Sequence, residues 1–86
     1  MEMNIFITKL AEETTSDDLY QLFYPFGIVN SAKVMIDYET GLSKRYGFVK
    51  MENEAEALRA IKELNNTCLD NSHIVVKAAD HQNNKV

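Results

Sequence analysis

Apolar residues recur along this chain with two different periods. In residues 4–9, "NIFITK", they alternate with other residues, the period of a half-buried strand. Ile5 and Ile7 share one face there, and Phe6 and Thr8 the other. Residues 28–36, 44–51 and 73–79 repeat that alternation. In 28–36, Val34 points inward while Lys33 and Met35 point outward. Between these stretches the period lengthens. Leu19, Leu22, Phe23 and Phe26 fall at i, i+3, i+4 and i+7, as do Ala57, Ala60, Ile61 and Leu64. Each set is an apolar stripe on one side of a helix.

The polar residues punctuate the same elements. Thr15 is placed to cap the first helix, with Asp17 and Asp18 in the turn where carboxylates favour the helix dipole. Pro25 and Gly27 end that helix. Asn53 with Glu56 makes a near capping box for the second, with Asn in place of Ser or Thr. "DYETGLSK" is a turn-rich loop around Gly41, and "NNTCLDNS" a loop or a small hairpin. The resulting order is strand, helix, strand, strand, helix, strand. It predicts an α+β, ferredoxin-like βαββαβ sandwich: a four-stranded antiparallel sheet with two helices on one face. Residues 1–79 form the expected domain, and 80–86 a short polar C-terminal tail. One face of the sheet is left bare.

The stretch "KRYGFVKM", residues 44–51, shows what that bare face carries. Arg45, Gly47, Val49 and Met51 share the face toward the core. Lys44, Tyr46, Phe48 and Lys50 share the other. Helix-covering connections make the first and third strands central neighbours, which brings Phe6 beside Tyr46 and Phe48. A wet cluster of three rings implies a partner.

Charge sharpens this picture. The 86-residue chain has a net charge of -4, which by itself argues weakly against a polyanionic partner. The four strand segments, however, contain six bases (Lys9, Lys33, Lys44, Arg45, Lys50, Lys77) and no acid, so they sum to +6 and the rest to -10. Local potential is what steers a polyanion. Flat rings flanked by cations suit unstacked nucleobases and their phosphates.

"KRYGFVKM" resembles the octamer of the RNA recognition motif (RRM) family, whose pattern is Lys/Arg, Gly, Phe/Tyr, Gly/Ala, Phe, Val, any, Phe/Tyr. Lys44, Tyr46, Gly47, Phe48 and Val49 match it. "IFITKL" is similar to the family's companion hexamer, and "LYQLFYPFG" and "AEALRAIKELN" to its two helices. The likeness covers residues 3 to 79. It implies base stacking by Phe6, Tyr46 and Phe48 and a phosphate contact by Lys44. Charge placement adds Arg45, Lys50, Lys33 and Lys77 as phosphate or edge contacts. Three positions depart from the family. Arg45 replaces a Gly, leaving open an added phosphate contact or partial cover of Tyr46. Lys9 replaces the hexamer Asn. Met51 replaces the final aromatic, at an inward site where binding suffers little. A short chain ending its octamer in Met looks like the small single-domain RRM proteins of bacteria.

The expected function is single-stranded RNA binding acting on RNA fate after transcription, with single-stranded DNA an open second partner. The alternative is a protein-interaction module using the helix face at Tyr20 and Tyr24, spaced i, i+4. An enzyme on the same scaffold is not expected. The turn "KLAEETTS" is acidic and lacks the glycine of a phosphate cradle, and no nucleophile–base pair stands out. No cofactor or metal is expected. Cys68 is the single cysteine, His73 borders the sheet face, His81 lies in the tail, and the three lack ligand spacing. The lack of a disulfide framework suits a reducing, cytoplasmic setting. "MEMNIFITKL" does not read as a secretory signal, and no stretch approaches a membrane span.

Overall fold

The structure is a computed structural model that describes residues 2–79; the expected tail, 80–86, lies outside the described residues, as does His81. Its elements are β1 (Met3–Thr8), α1 (Ser16–Phe23), β2 (Val29–Ile36), β3 (Ser43–Met51), α2 (Glu54–Leu64), β4 (Cys68–Leu69), β5 (Ser72–His73) and β6 (Val75–Ala78). The main sheet runs β2-β3-β1-β6 with every neighbouring pair antiparallel. The expected four-stranded sandwich is therefore present, with β1 and β3 at its centre.

The core lies between one face of this sheet and the two helices. Ile5, Ile7, Val34, Val49, Met51 and Val76 from the strands pack with Leu19 and Phe23 of α1 and Ala57, Ala60 and Leu64 of α2. Each large side chain buried there contributes about 1.5–3 kcal/mol. Met51 is fully buried, so the octamer's missing aromatic does lie on the core side.

The helix starts follow the caps read from sequence. Thr15 Oγ1 accepts from the Asp18 N–H at 3.1 Å, and Asp18 Oδ2 accepts from the Thr15 N–H at 2.9 Å. That reciprocal pair satisfies two otherwise orphaned donors. Asn53 Oδ1 accepts from the Glu56 N–H at 2.9 Å. The first helix tightens into a 3-10 turn at Tyr24–Phe26, because Pro25 has no N–H to continue the α-helical ladder.

The C-terminal quarter departs from the expectation. The single strand over 73–79 is two pieces. Residues 72–73 pair with 68–69 in a separate small hairpin, and only Val75–Ala78 joins β1. Asp70 and Asn71 turn that hairpin with φ of 52° and 67°, the two left-handed residues a tight two-residue connection requires. His73 consequently sits opposite Cys68 and not on the main sheet. Two hydrogen bonds fasten the hairpin to the segment after β1. The buried Thr14 donates from Oγ1 to Asp70 Oδ2 at 2.7 Å, and Ser72 Oγ donates to the Lys9 carbonyl at 2.6 Å. No helix of the described residues is long and apolar enough to cross a membrane.

Candidate nucleic-acid interface

Strand register sets the site. Phe6 on β1 lies directly opposite Phe48 on β3, with ring centroids 5.1 Å apart and planes tilted by 31°. Tyr46, two residues before Phe48, meets both rings edge-on, at 5.7 Å from Phe6 and 6.2 Å from Phe48. Such offset and T-shaped contacts are favoured by the ring quadrupoles. Phe48 remains 40% exposed, while Phe6 and Tyr46 are half-buried. The three rings thus form one contiguous platform on the face the helices leave bare.

Cations bracket the platform in the same register. Lys33 of β2 is the partner of Phe48, and Lys77 of β6 is the partner of Phe6. A line across all four strands therefore reads Lys33, Phe48, Phe6, Lys77, with both lysines exposed. Lys44 is exposed near the start of β3. Lys50 is half-buried between Asn4 and Ser31 in register. Among the described residues these four lysines form no ion pair, so their charges are free for a ligand.

Two acids modify the charge count near Lys50. Glu2 and Glu52 both accept from Asn30 Nδ2 at 2.7 Å, just beyond the Met3–Met51 end of the strands. Asn4 and Ser31 were not picked out from sequence. They share parity with Phe6 and Lys33, and that parity was the available signal that they offer hydrogen-bonding edges on this face.

The two family departures at Lys9 and Arg45 sit side by side. The Leu10 N–H donates to the Arg45 carbonyl at 3.0 Å, which carries the β1–β3 ladder one step past Thr8 and Tyr46. Both residues have left-handed backbones, with φ of 60° at Lys9 and 65° at Arg45. Glycine adopts this conformation without steric cost, whereas a side chain costs about 1–2 kcal/mol. The Arg45 guanidinium reaches Glu12 at 3.5 Å and stays 61% exposed, so its partner is a carboxylate and not the Tyr46 ring. An exposed pair of this kind stabilises little. Arg45→Gly accordingly raises stability by about 0.5–1 kcal/mol, read as a thermal midpoint higher by roughly 4 °C. The same change lowers RNA affinity a few-fold if Arg45 contacts phosphate. A midpoint that falls would mean that Arg45 is not strained.

On the helix side, Tyr20 and Tyr24 stack at 5.7 Å and 27°, with Tyr24 58% exposed. Cys68 is an exposed free thiol, and no cluster of potential metal ligands occurs among the described residues.

An open antiparallel sheet with helices behind it and three clustered rings in front defines a class of ferredoxin-like domain. A family model described as RNA recognition motif matches residues 5–75, and the chain belongs to that family. It is 41% identical over 76 residues to a Sex-lethal homolog of Megaselia scalaris; those residues are 88% of this chain but only 24% of that protein. The chain therefore spans about a quarter of that relative's length. Among solved structures, RNA Binding Protein PG1 is 42% identical with a TM-score of 0.87, covering 90% of this chain and 93% of that one. The Sex-lethal RNA recognition domains 1 and 2 of Drosophila melanogaster are 35% identical with a TM-score of 0.86, covering 93% of this chain and 51% of theirs. An Sxl-lethal protein/RNA complex gives the same identity and TM-score, with 93% of this chain and 48% of that one covered.

Proposed function

We propose that this chain is a single-stranded RNA-binding domain acting on RNA after transcription. Two or three unstacked bases lie on Phe6, Tyr46 and Phe48. Lys44, Lys33, Lys77, Lys50 and Arg45 hold the phosphates around them. Nothing catalytic is required: affinity comes from stacking and charge. The observation that carries the reading is the transverse line of Lys33, Phe48, Phe6 and Lys77, in which each ring pairs with its neighbour and each end is a free cation. The Sxl-lethal protein/RNA complex, 35% identical, supports RNA as the partner of this fold. Single-stranded DNA offers the same ring faces but no 2′-hydroxyl, so it competes more weakly wherever that group is read.

The protein works in the cytoplasm on this reading, a setting that suits one exposed, unpaired cysteine. Residues 1–79 suffice for folding and binding, with 80–86 an appended tail.

Titration against single-stranded and duplex RNA at two salt concentrations tests the proposal. A duplex hides its base faces, so it binds at least about fivefold more weakly if a single base worth about 1–3 kcal/mol is lost. Affinity for the single strand falls with salt on a shallow slope. The four unpaired lysines, with Arg45 once it exchanges its exposed pair with Glu12, set its limit at about -3.5, using about -0.7 per neutralised phosphate. Equal affinity for the duplex, or a slope much steeper than that limit, would reject stacking as the basis of binding.

A further inference from the structure

Behind the sheet, the turn that joins α1 to β2 leaves two large apolar side chains in water. Tyr24 is 58% exposed and Ile28 64%, with Pro25 also exposed, and Tyr20 stacks on Tyr24 from the preceding helical turn. A single exposed apolar residue needs no explanation, but a group of them at one turn, rimmed by charge, marks an interaction surface. The backbone beneath them is fixed. The Gly27 N–H donates to the Tyr24 carbonyl at 3.2 Å, and the Glu52 N–H to the Ile28 carbonyl at 3.1 Å. Val29, the next residue, already pairs with Met51 in the sheet. A surface ordered in advance loses little entropy when a partner covers it.

The charge around this turn has one sign. Glu52 is tied to Ile28 by that backbone hydrogen bond, and Asn30 holds the Glu52 and Glu2 carboxylates at 2.7 Å each. A Cβ at Gly27 would collide with the Glu56 side chain, so a third carboxylate lies against the turn. From Leu10 to Ala32 the chain has four acids and no Lys or Arg; from Met51 to Leu58 it has three acids and again no Lys or Arg. Among the described residues, Glu2, Glu52 and Glu56 form no ion pair. Covering the apolar side chains desolvates these carboxylates, which is costly unless the partner brings cations. A nucleic acid is repelled here. A second copy meeting the turn by two-fold symmetry would set the same acids against one another.

We propose that the α1–β2 turn is a docking site for a basic segment of another protein. One aliphatic or aromatic side chain of that segment covers Tyr24 and Ile28, and lysines or arginines on either side of it meet Glu2, Glu52 and Glu56. The site stands apart from the sheet face and does not depend on RNA binding. Two short fluorescein-labelled peptides of lysine and glutamine test it, one with leucine at its centre and one with serine there. Each is titrated into the whole chain at low salt, with binding read by anisotropy and by backbone amide shifts. The leucine peptide is expected to bind at least about fivefold more tightly and to move the amides of residues 24–30 and 52–56. Ile28→Ser is expected to weaken the leucine peptide about fivefold or more and to leave the serine peptide unchanged. Tyr24→Ser is a second variant with the same expectation, and since both side chains are largely in water, both variants fold, as a thermal melt checks. Glu56→Gln weakens both peptides, whereas Glu39→Gln, the same charge change beyond the far end of β2, and Phe48→Ala, on the opposite face, do not. Three results would each overturn the site: no binding of the leucine peptide, equal affinity of the two peptides, or equal losses from Glu56→Gln and Glu39→Gln. A dimer seen in sedimentation that Ile28→Ser dissociates would overturn it as well, because a second copy would then be the occupant.

Discussion

Alanine at Phe6, Tyr46 and Phe48 together lowers the affinity for single-stranded RNA at least about 30-fold while the domain stays folded. Each base stacked on an aromatic is worth about 1–3 kcal/mol by such truncation. The three losses do not simply add, because every ring touches the other two at 5.1–6.2 Å and the free cluster reorganises. Two stacked bases at the lower bound, about 2 kcal/mol in total, already make a factor of about 30. Stability suffers much less. The rings lie outside the core of Ile5, Ile7, Val49 and their neighbours, and what is lost is cross-strand contact worth about 0.2–1 kcal/mol per pair. Circular dichroism and a thermal melt check the fold, and anisotropy reads the binding. The single change Phe48→Ala, at the most exposed ring, shows the same direction with about a tenfold loss and less risk to folding. Alanine at Tyr20 and Tyr24 leaves RNA affinity unchanged, since that stacked pair stands on α1 and the 3-10 turn that follows it, behind the sheet. A folded triple variant that binds RNA as well as the parent would refute the platform and return attention to the helix face.

Sequence periodicity reached the fold because its local signals agree. Alternation in β1 and β3, helical spacing in α1 and α2, and the caps at Thr15 and Asn53 all specify one sandwich. It also reached the ring cluster, because once two strands are neighbours, parity alone decides which side chains share a face. Three things stayed hidden, each for a tertiary reason. The break at Ile74 was masked because His73, Val75 and Lys77 keep a continuous alternation. The turn that separates β5 from β4 uses Asp70-Asn71 without the glycine that usually betrays it. The acids at Glu2 and Glu52 lie outside the strands in sequence, yet Asn30 draws both to the sheet's end. Ile28 was read as the first residue of the second strand, and exposure cannot be inferred from a strand end by alternation alone. The left-handed backbones at Lys9 and Arg45 were signalled, since both stand where the family pattern has Asn or Gly, but the resemblance alone did not say that the two adjoin.

Gly47→Ala is expected to destabilise the domain by about 3 kcal/mol or more, lowering its thermal midpoint by at least roughly 12 °C. The cause is space and not backbone freedom, since Gly47 lies in ordinary strand conformation. A Cβ there would stand 2.4 Å from the Lys33 carbonyl oxygen, 3.0 Å from Leu19 Cδ1 and 3.1 Å from the Val34 Cα. Leu19 could shift, but Lys33 and Val34 oppose the new atom with backbone, which is held by the β2–β3 ladder. Relief requires β2 to move away from β3, or α1 to lift from the sheet. Alanine's better strand propensity returns only about 0.5–1 kcal/mol against this. Gly47 thus marks a close approach of neighbouring backbone, a recurrent reason for glycine inside a strand. Function follows stability here, because Tyr46 and Phe48 are its immediate neighbours and Lys33 is the carbonyl it would strike. The folded fraction of the variant should bind RNA more weakly as well. Gly41→Ala is the control: nothing lies within 4 Å of its Cβ position, so only the left-handed φ of 77° is penalised, at about 1 kcal/mol. Urea or thermal unfolding compares the two directly. Equal and small losses at both positions would show that β2 yields easily and that the tight contact at Gly47 is not what holds the platform in register.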